Sequence, residues 1–164
     1  MKIRILGAGP AGLSFAALMK RLDPSHDVAI VERSARDATW GFGVVFSDRA
    51  LEFLRADDEA LYRTLTPHLE TWPHITVAHN DTAIPIAGNG FASIGRLELL
   101  TLLYDYVERL GVKLHFDQEI TTLVGAAVRL HRDEIGSGFG ELVDPCHEVA
   151  VAQVAVELVL DPVG

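Results

Sequence analysis

Apolar positions along the chain change their rhythm several times, and each rhythm predicts an element. Ile3, Ile5 and Leu6 form a short run ending at Gly7, suited to a buried parallel strand. From Gly12 to Leu22 the chain is apolar and alanine-rich until Asp23-Pro24 stops it, which predicts a helix. Val28 to Val31 is a second, β-branched run, closed by Glu32. Strand, helix, strand in that order implies a right-handed crossover between two parallel strands.

Further on the pattern is looser. Ser34 to Gly43 is loop-like, Val44-Val45-Phe46 is apolar, and Ser47 is placed to cap a helix beginning at Asp48. Ala50 to Leu65 reads as helical, interrupted by Asp57-Asp58-Glu59, an expected solvated loop or helix end. Ile75 and Val77 alternate with smaller or polar residues, Asn80-Asp81 signals a turn, and Thr82 to Ile86 returns antiparallel. A loop at Gly88-Asn89-Gly90 then leads to the longest helix. There Leu97, Leu100, Leu103, Val107 and Leu110 recur at helical spacing, and Gly111 sits where a C-terminal cap belongs. Val112 to Phe116 reads as another strand. Residues 125–164 differ in texture: they hold no lysine, a glycine-rich patch from Gly136 to Gly140, and a segment from Val149 to Leu160 compatible with strand or helix.

Composition narrows the classes. With 164 residues, 49% of them hydrophobic, the chain is long and apolar enough for one domain with a real core, so general disorder is excluded. A net charge of −9 argues against nucleic acid or an anionic membrane as partner. The single cysteine, Cys146, rules out an intrachain disulfide and fits a reducing compartment. The run from Ile3 to Leu6 is too short for a signal-peptide core, and no apolar stretch reaches 18 residues, so a cytoplasmic location is expected.

The chemistry-bearing motif is Gly7-Ala8-Gly9-Pro10-Ala11-Gly12, a G-x-G-x-x-G turn with a strand before it, a helix opening at it, and Glu32 closing the next strand. Gly7 makes the tight turn. Gly9 leaves room for a pyrophosphate against the backbone, and Gly12 lets the helix pack close to the sheet, with Ala16 keeping that face small. The helix N-terminus at Pro10 and Ala11 offers N–H groups and a partial positive charge. Glu32 suits a ribose diol and repels a 2′-phosphate, an exclusion that the neighbouring Arg33 softens. The expected ligand is FAD or NAD, and the motif alone does not choose.

Three stretches, "ILGAGPAGLSFAALMKRLDPSHDVAIVER", "GFGVVFSD" (Gly41 to Asp48) and "GNGFASIGRLELL" (Gly88 to Leu100), together resemble the FAD-dependent aromatic monooxygenases of the p-hydroxybenzoate hydroxylase-like class. The likeness covers roughly residues 1 to 123 and is strongest to the salicylyl-CoA 5-hydroxylase and 2-aminobenzoyl-CoA monooxygenase group. It implies a Rossmann-like α/β fold with a parallel sheet, part of an antiparallel substrate-side hairpin, and FAD as cofactor with NAD(P)H and O₂ as co-substrates. It implies an aromatic substrate, with an aroyl-CoA thioester as one form. Gly41 to Val45, with Gly43 and Val44 at its centre, then matches the segment that passes near the flavin, and Arg96 matches an arginine that contacts the FAD. No side chain is assigned as nucleophile or catalytic acid.

The likeness is incomplete. Members of that class carry an Asp-Gly segment after the strand near Leu114 and a later Gly-Asp motif, and neither is found here. Residues 124–164 are therefore expected to be a tail of different character, from truncation or a disrupted reading frame, and weak FAD binding is expected of the chain alone. Two other readings stand beside the hydroxylase. One is a noncatalytic remnant or nucleotide-binding module. The other is a dehydrogenase NAD domain, which leaves "GFGVVFSD" and "GFASIGR" without a purpose. His68, His74 and His79 lack a completing ligand pattern for metal, and Cys146-His147 would point to opposite faces of a strand.

Overall fold

Strict alternation of Lys2 and Arg4 with buried Ile3 and Ile5 makes β1 (Lys2–Leu6), while β2 (Asp27–Val31) is buried almost throughout. In the computed structural model, which describes residues 1–120 and the strands Thr122–Val124, Ala127–Arg129 and Val149–Ala152, the two strands pair in parallel from Lys2↔Asp27 to Leu6↔Val31. Helix α1 (Pro10–Leu22) joins them, as the sequence predicts. It packs Leu13, Ala16 and Ala17 onto Ile3, Ile5, Val28 and Ile30, all buried. Each large aliphatic side chain in that layer contributes about 1.5–3 kcal/mol by leaving water.

The chain divides into two compact units, Met1–Arg36 with Leu103–Gly164, and Asp37–Leu102. In the first, two further strands extend the parallel sheet. β6 (Lys113–His115) pairs with β2 and β9 (Val149–Ala152) with β1, giving the order β6-β2-β1-β9. β7 (Thr122–Val124) and β8 (Ala127–Arg129) form a separate antiparallel pair. Val149–Ala152 is thus strand, while residues 153–164 and the Cys146-His147 pair lie outside the described residues.

Two charged clusters tie this unit together. Asp27 accepts from Arg4 at 2.8 Å and from Lys113 at 3.0 Å, linking β1, β2 and β6. Arg36 forks onto Glu108 at 2.7 and 2.8 Å, reaches Asp105 at 3.2 Å, and lies over the rings of Tyr104 and Phe116. The latter rings meet edge to face at 5.1 Å.

The second unit holds an antiparallel sheet ordered β3-β5-β4, from β3 (Gly43–Ser47), β4 (Glu70–His79) and β5 (Thr82–Gly95). Ser47 caps α2 (Asp48–Asp57) by accepting from the Ala50 N–H at 3.3 Å, as its sequence position predicts. The acidic patch is the helix end the sequence predicts, with α2 stopping at Asp57 and Asp58 capping the next helix, but Asp58 differs in its exposure. It is not solvated but 7% exposed, because it caps α3 (Glu59–Leu65) by accepting from the Leu61 N–H at 3.0 Å. The glycines at 88–90 also behave differently: β5 runs through them instead of breaking, since Phe91 to Gly95 pair with β3. Helix α4 (Arg96–Arg109) follows; Leu99, Leu100, Leu103, Tyr104 and Val107 are buried, whereas Leu97 is exposed. Gly111 has φ +86°, the left-handed geometry of a helix-terminating glycine.

The bond from Arg4, helped by Lys113, pulls the Asp27 carboxyl down from the ordinary 3.8 to about 2 against the opposing effect of partial burial. A folded value below the unfolded one stabilises the fold fully at neutral pH, and the contribution fades as pH falls from about 4 toward 2. Urea midpoints measured between pH 5 and 2.5 should therefore fall more steeply for the native chain than for Asp27→Asn.

Candidate functional site

The glycine turn leaves β1 at Gly7, whose φ of +95° is left-handed and whose N–H still donates to the Val31 carbonyl at 2.8 Å. Gly9 then caps α1 in an extended conformation, φ −74° and ψ 171°, with Pro10 in the first turn. No side chain caps this helix and no acidic residue lies in its first turn, so the N–H groups of its first turn have no side-chain acceptor from the helix itself. A Cβ placed on Gly9 would meet nothing within 4 Å, so open space lies before the helix end. Gly12 is the opposite case. A Cβ there would collide with the Gly7 carbonyl oxygen and approach Ile5 Cγ2 to 3.3 Å. Ala11, one residue earlier, is only half-buried.

Glu32, at the end of β2, turns its carboxylate back onto this turn. One oxygen accepts from the Ala8 N–H at 2.8 Å and the other from the Ser34 N–H at 2.9 Å. Each oxygen keeps a lone pair for a further donor. Its backbone is held as well, the N–H donating to His115 O at 2.8 Å and the carbonyl accepting from Gln118 at 3.0 Å. Arg33 beside it is exposed. The sequence identifies Glu32 as an acceptor, but Ala8 and Ser34 carry no side-chain signal of their part in holding it.

The remaining candidates lie in the second unit. Gly43 opposes Gly95 across β3 and β5, and a Cβ on it would come within 2.9 Å of the Ile94 carbonyl oxygen. Val44, opposite Ile94, is half-buried. Arg96 opens α4; its N–H donates to the Phe42 carbonyl at 3.2 Å, and its Cδ lies 3.7 Å from the position of a Cβ on Gly41. Gly43, Val44 and Arg96 are thus neighbours around one turn. Trp40 and Phe42 flank Gly41 with exposures of 82% and 104%. The sequence assigns these aromatics no role, and their exposure is seen only in the fold.

Other sequence candidates are not gathered here. His68 bonds Glu98 at 2.8 Å, while His74 and His79 lie on opposite faces of β4. A cleft of about 890 Å³ between α2 and β5, lined in part by Asp48, Arg49, Phe53 and Gly90, touches the ends of both flanking motif stretches but contains none of the candidate cofactor-binding residues. Among the described residues no helix is long and apolar enough to cross a membrane.

Comparison with known proteins adds four findings. The family model described as FAD binding domain matches residues 1–134, eleven residues beyond the end of the sequence resemblance. Salicyloyl-CoA 5-hydroxylase of Streptomyces sp. is 40% identical over 120 residues, covering 73% of this chain and 23% of that protein. The 3-hydroxy-4-methyl-anthranilyl-(aryl-carrier protein) 5-monooxygenase of Streptosporangium sibiricum is 26% identical over 113 residues, covering 69% and 32%. The chain therefore spans about a quarter to a third of these relatives. The solved structure of 2-methyl-3-hydroxypyridine-5-carboxylic acid oxygenase shares the fold, with a TM-score of 0.67 at 20% identity over 79% of this chain and 35% of that one.

The two glycines that differ most in surroundings make a paired prediction. Gly12→Ala should destabilise the chain by about 1–3 kcal/mol through overpacking, whereas Gly9→Ala should cost less, within about 1 kcal/mol, the difference between a glycine and an alanine N-cap. Urea denaturation of both variants tests this.

Proposed function

The chain belongs to the FAD-binding domain family of flavin-dependent aromatic hydroxylases, and from that we propose that it supplies the N-terminal part of the flavin site of a cytoplasmic monooxygenase. The observation that carries the assignment of residues is the acid-free, Gly9-capped N-terminus of α1 with open space before it. Those surroundings fit the diphosphate of FAD: Gly7, Gly9, Pro10, Ala11 and Gly12 would hold it by backbone donors and the helix dipole. Glu32 would accept from the adenosine ribose, with Arg33 exposed beside it. Gly43 and Val44 would present backbone to the flavin, and Arg96 a cation.

When bound, the flavin supplies the redox chemistry, with NAD(P)H as reductant and O₂ as oxidant. The chain's own residues bind and orient. Glu32 is already fixed by the Ala8 and Ser34 N–H groups, so its carboxylate requires no reorganisation to meet a diol. We take the substrate to be a small aromatic, with an aroyl thioester of coenzyme A as the favoured form. That preference rests on the 40% identity with an enzyme named for salicyloyl-CoA. The second reading is a nucleotide-binding module without turnover of its own, favoured by the lack of any assigned acid, base or nucleophile among the motif residues.

FAD titration followed by flavin fluorescence tests the proposal. The native chain should take up flavin, and Gly9→Ala, which spares the fold, should weaken uptake about tenfold or more, equivalent to about 1.4 kcal/mol. A native chain that takes up no FAD overturns the assignment. Flavin uptake without NADH-driven oxygen consumption in the presence of an aroyl-CoA selects the second reading.

A further inference from the structure

The hairpin β4–β5 ends in a two-residue turn, with Asn80 at φ 44° and Asp81 at φ 61°, between paired His79 and Thr82. A turn of that kind makes its flanking pair a hydrogen-bonded one. Alternation along an antiparallel ladder then makes Val77↔Ile84 and Ile75↔Ile86 hydrogen-bonded, and Ala78↔Ala83, Thr76↔Pro85 and His74↔Ala87 non-bonded. Pro85, which lacks an N–H, falls in the non-bonded class, as it must. The residues whose backbone groups point outward from the hairpin are therefore His74, Thr76 and Ala78 on β4, and Ala83, Pro85 and Ala87 on β5. Pro85 interrupts the β5 edge. On β4, Pro73 lies at the register irregularity between Trp72 and His74, the edge from His74 to Ala78 is uninterrupted, and among the described residues no strand pairs with it.

We propose that this β4 edge pairs with the same edge of a second copy of the chain, antiparallel and centred on Thr76. The outward set is symmetric about that residue. Thr76 meets Thr76 of the partner copy and His74 meets Ala78, so every outward donor finds an outward acceptor. Side chains favour the same register. Ile75, Val77, Ile84 and Ile86 share one face and are 39–53% exposed, and pairing sets Ile75 beside Val77 of the other copy, making one continuous aliphatic stripe. Charge does not oppose it: between Glu70 and Arg96 the only formal charge is Asp81, at the turn. Two chains of net charge −9 thus meet along a neutral edge. Each hairpin has one usable edge, so assembly closes at two copies. A contact of strand and stripe lies at the small end of stable interfaces, which makes the dimer reversible.

Analytical ultracentrifugation of the full chain at about 1–200 μM, the range for a small interface, tests this together with Thr76→Lys and Thr76→Asp. Thr76 is exposed, and each variant places like charges directly opposite in the dimer. The native chain should reach twice 17.9 kDa. Each variant alone should dimerise about tenfold more weakly or worse, and their equimolar mixture should recover the dimer through the opposite charges. A monomeric native chain, larger assemblies, a dimer that neither variant weakens, or a mixture that fails to recover it would each overturn the proposal.

Discussion

Helix α1 can lie on β1 only because Gly12 has no side chain. The Gly7 carbonyl oxygen occupies the place a Cβ would take, and Ile5 closes the other side. Leu13, Ala16 and Ala17 reach the sheet because of that approach, and Ile3, Ile5, Val28 and Ile30 are covered by it. It also sets where the helix begins, and hence where its uncapped N–H groups stand relative to the end of β1. The parallel order that follows, with β6 beside β2 and β9 beside β1, is built outward from that first pair.

Much of this was legible in the residues. Periodicity located β1, α1, β2, the hairpin turn at Asn80-Asp81 and the long helix, and the glycine spacing with Glu32 located the candidate site. What escaped depends on tertiary partners. Asp58 is buried because a backbone N–H three residues on claims its carboxylate, and three consecutive acids give no hint which one turns inward. The glycines at 88–90 looked like a loop, yet the pairing of Phe91 to Gly95 with β3 carries the strand past them. Leu97 fits the helical apolar stripe by spacing and still faces solvent, since position on a helix does not say how far its packed face extends. Arg36 gave no signal at all; its two carboxylate partners and two ring faces come from α4 and the segment after β6, far along the chain.

The candidate residues also divide physically. Gly7 to Gly12 and Glu32 belong to a unit built on buried aliphatics and charge-paired strand ends, where each group is fixed by several bonds. Gly43, Val44 and Arg96 belong to a unit whose aromatic and aliphatic side chains, Trp40, Phe42, Val45 and Phe53 among them, stand in solvent. Exposed apolar surface of that kind marks binding faces more often than loose ends. The first unit holds the Glu32 and Asp27 carboxylates in paired bonds beside an uncapped helix end, and the second leaves several large apolar side chains uncovered.

Glu32 has one further consequence. The carboxylate that suits a ribose diol is also the acceptor for the Ala8 and Ser34 N–H groups. Exchanging it for a neutral or basic residue, the ordinary route by which such sites come to accept a phosphorylated ribose, would orphan two backbone donors beside the glycine turn. In the role proposed for Glu32, a substitution that changed cofactor preference would therefore also disturb the turn that the carboxylate holds.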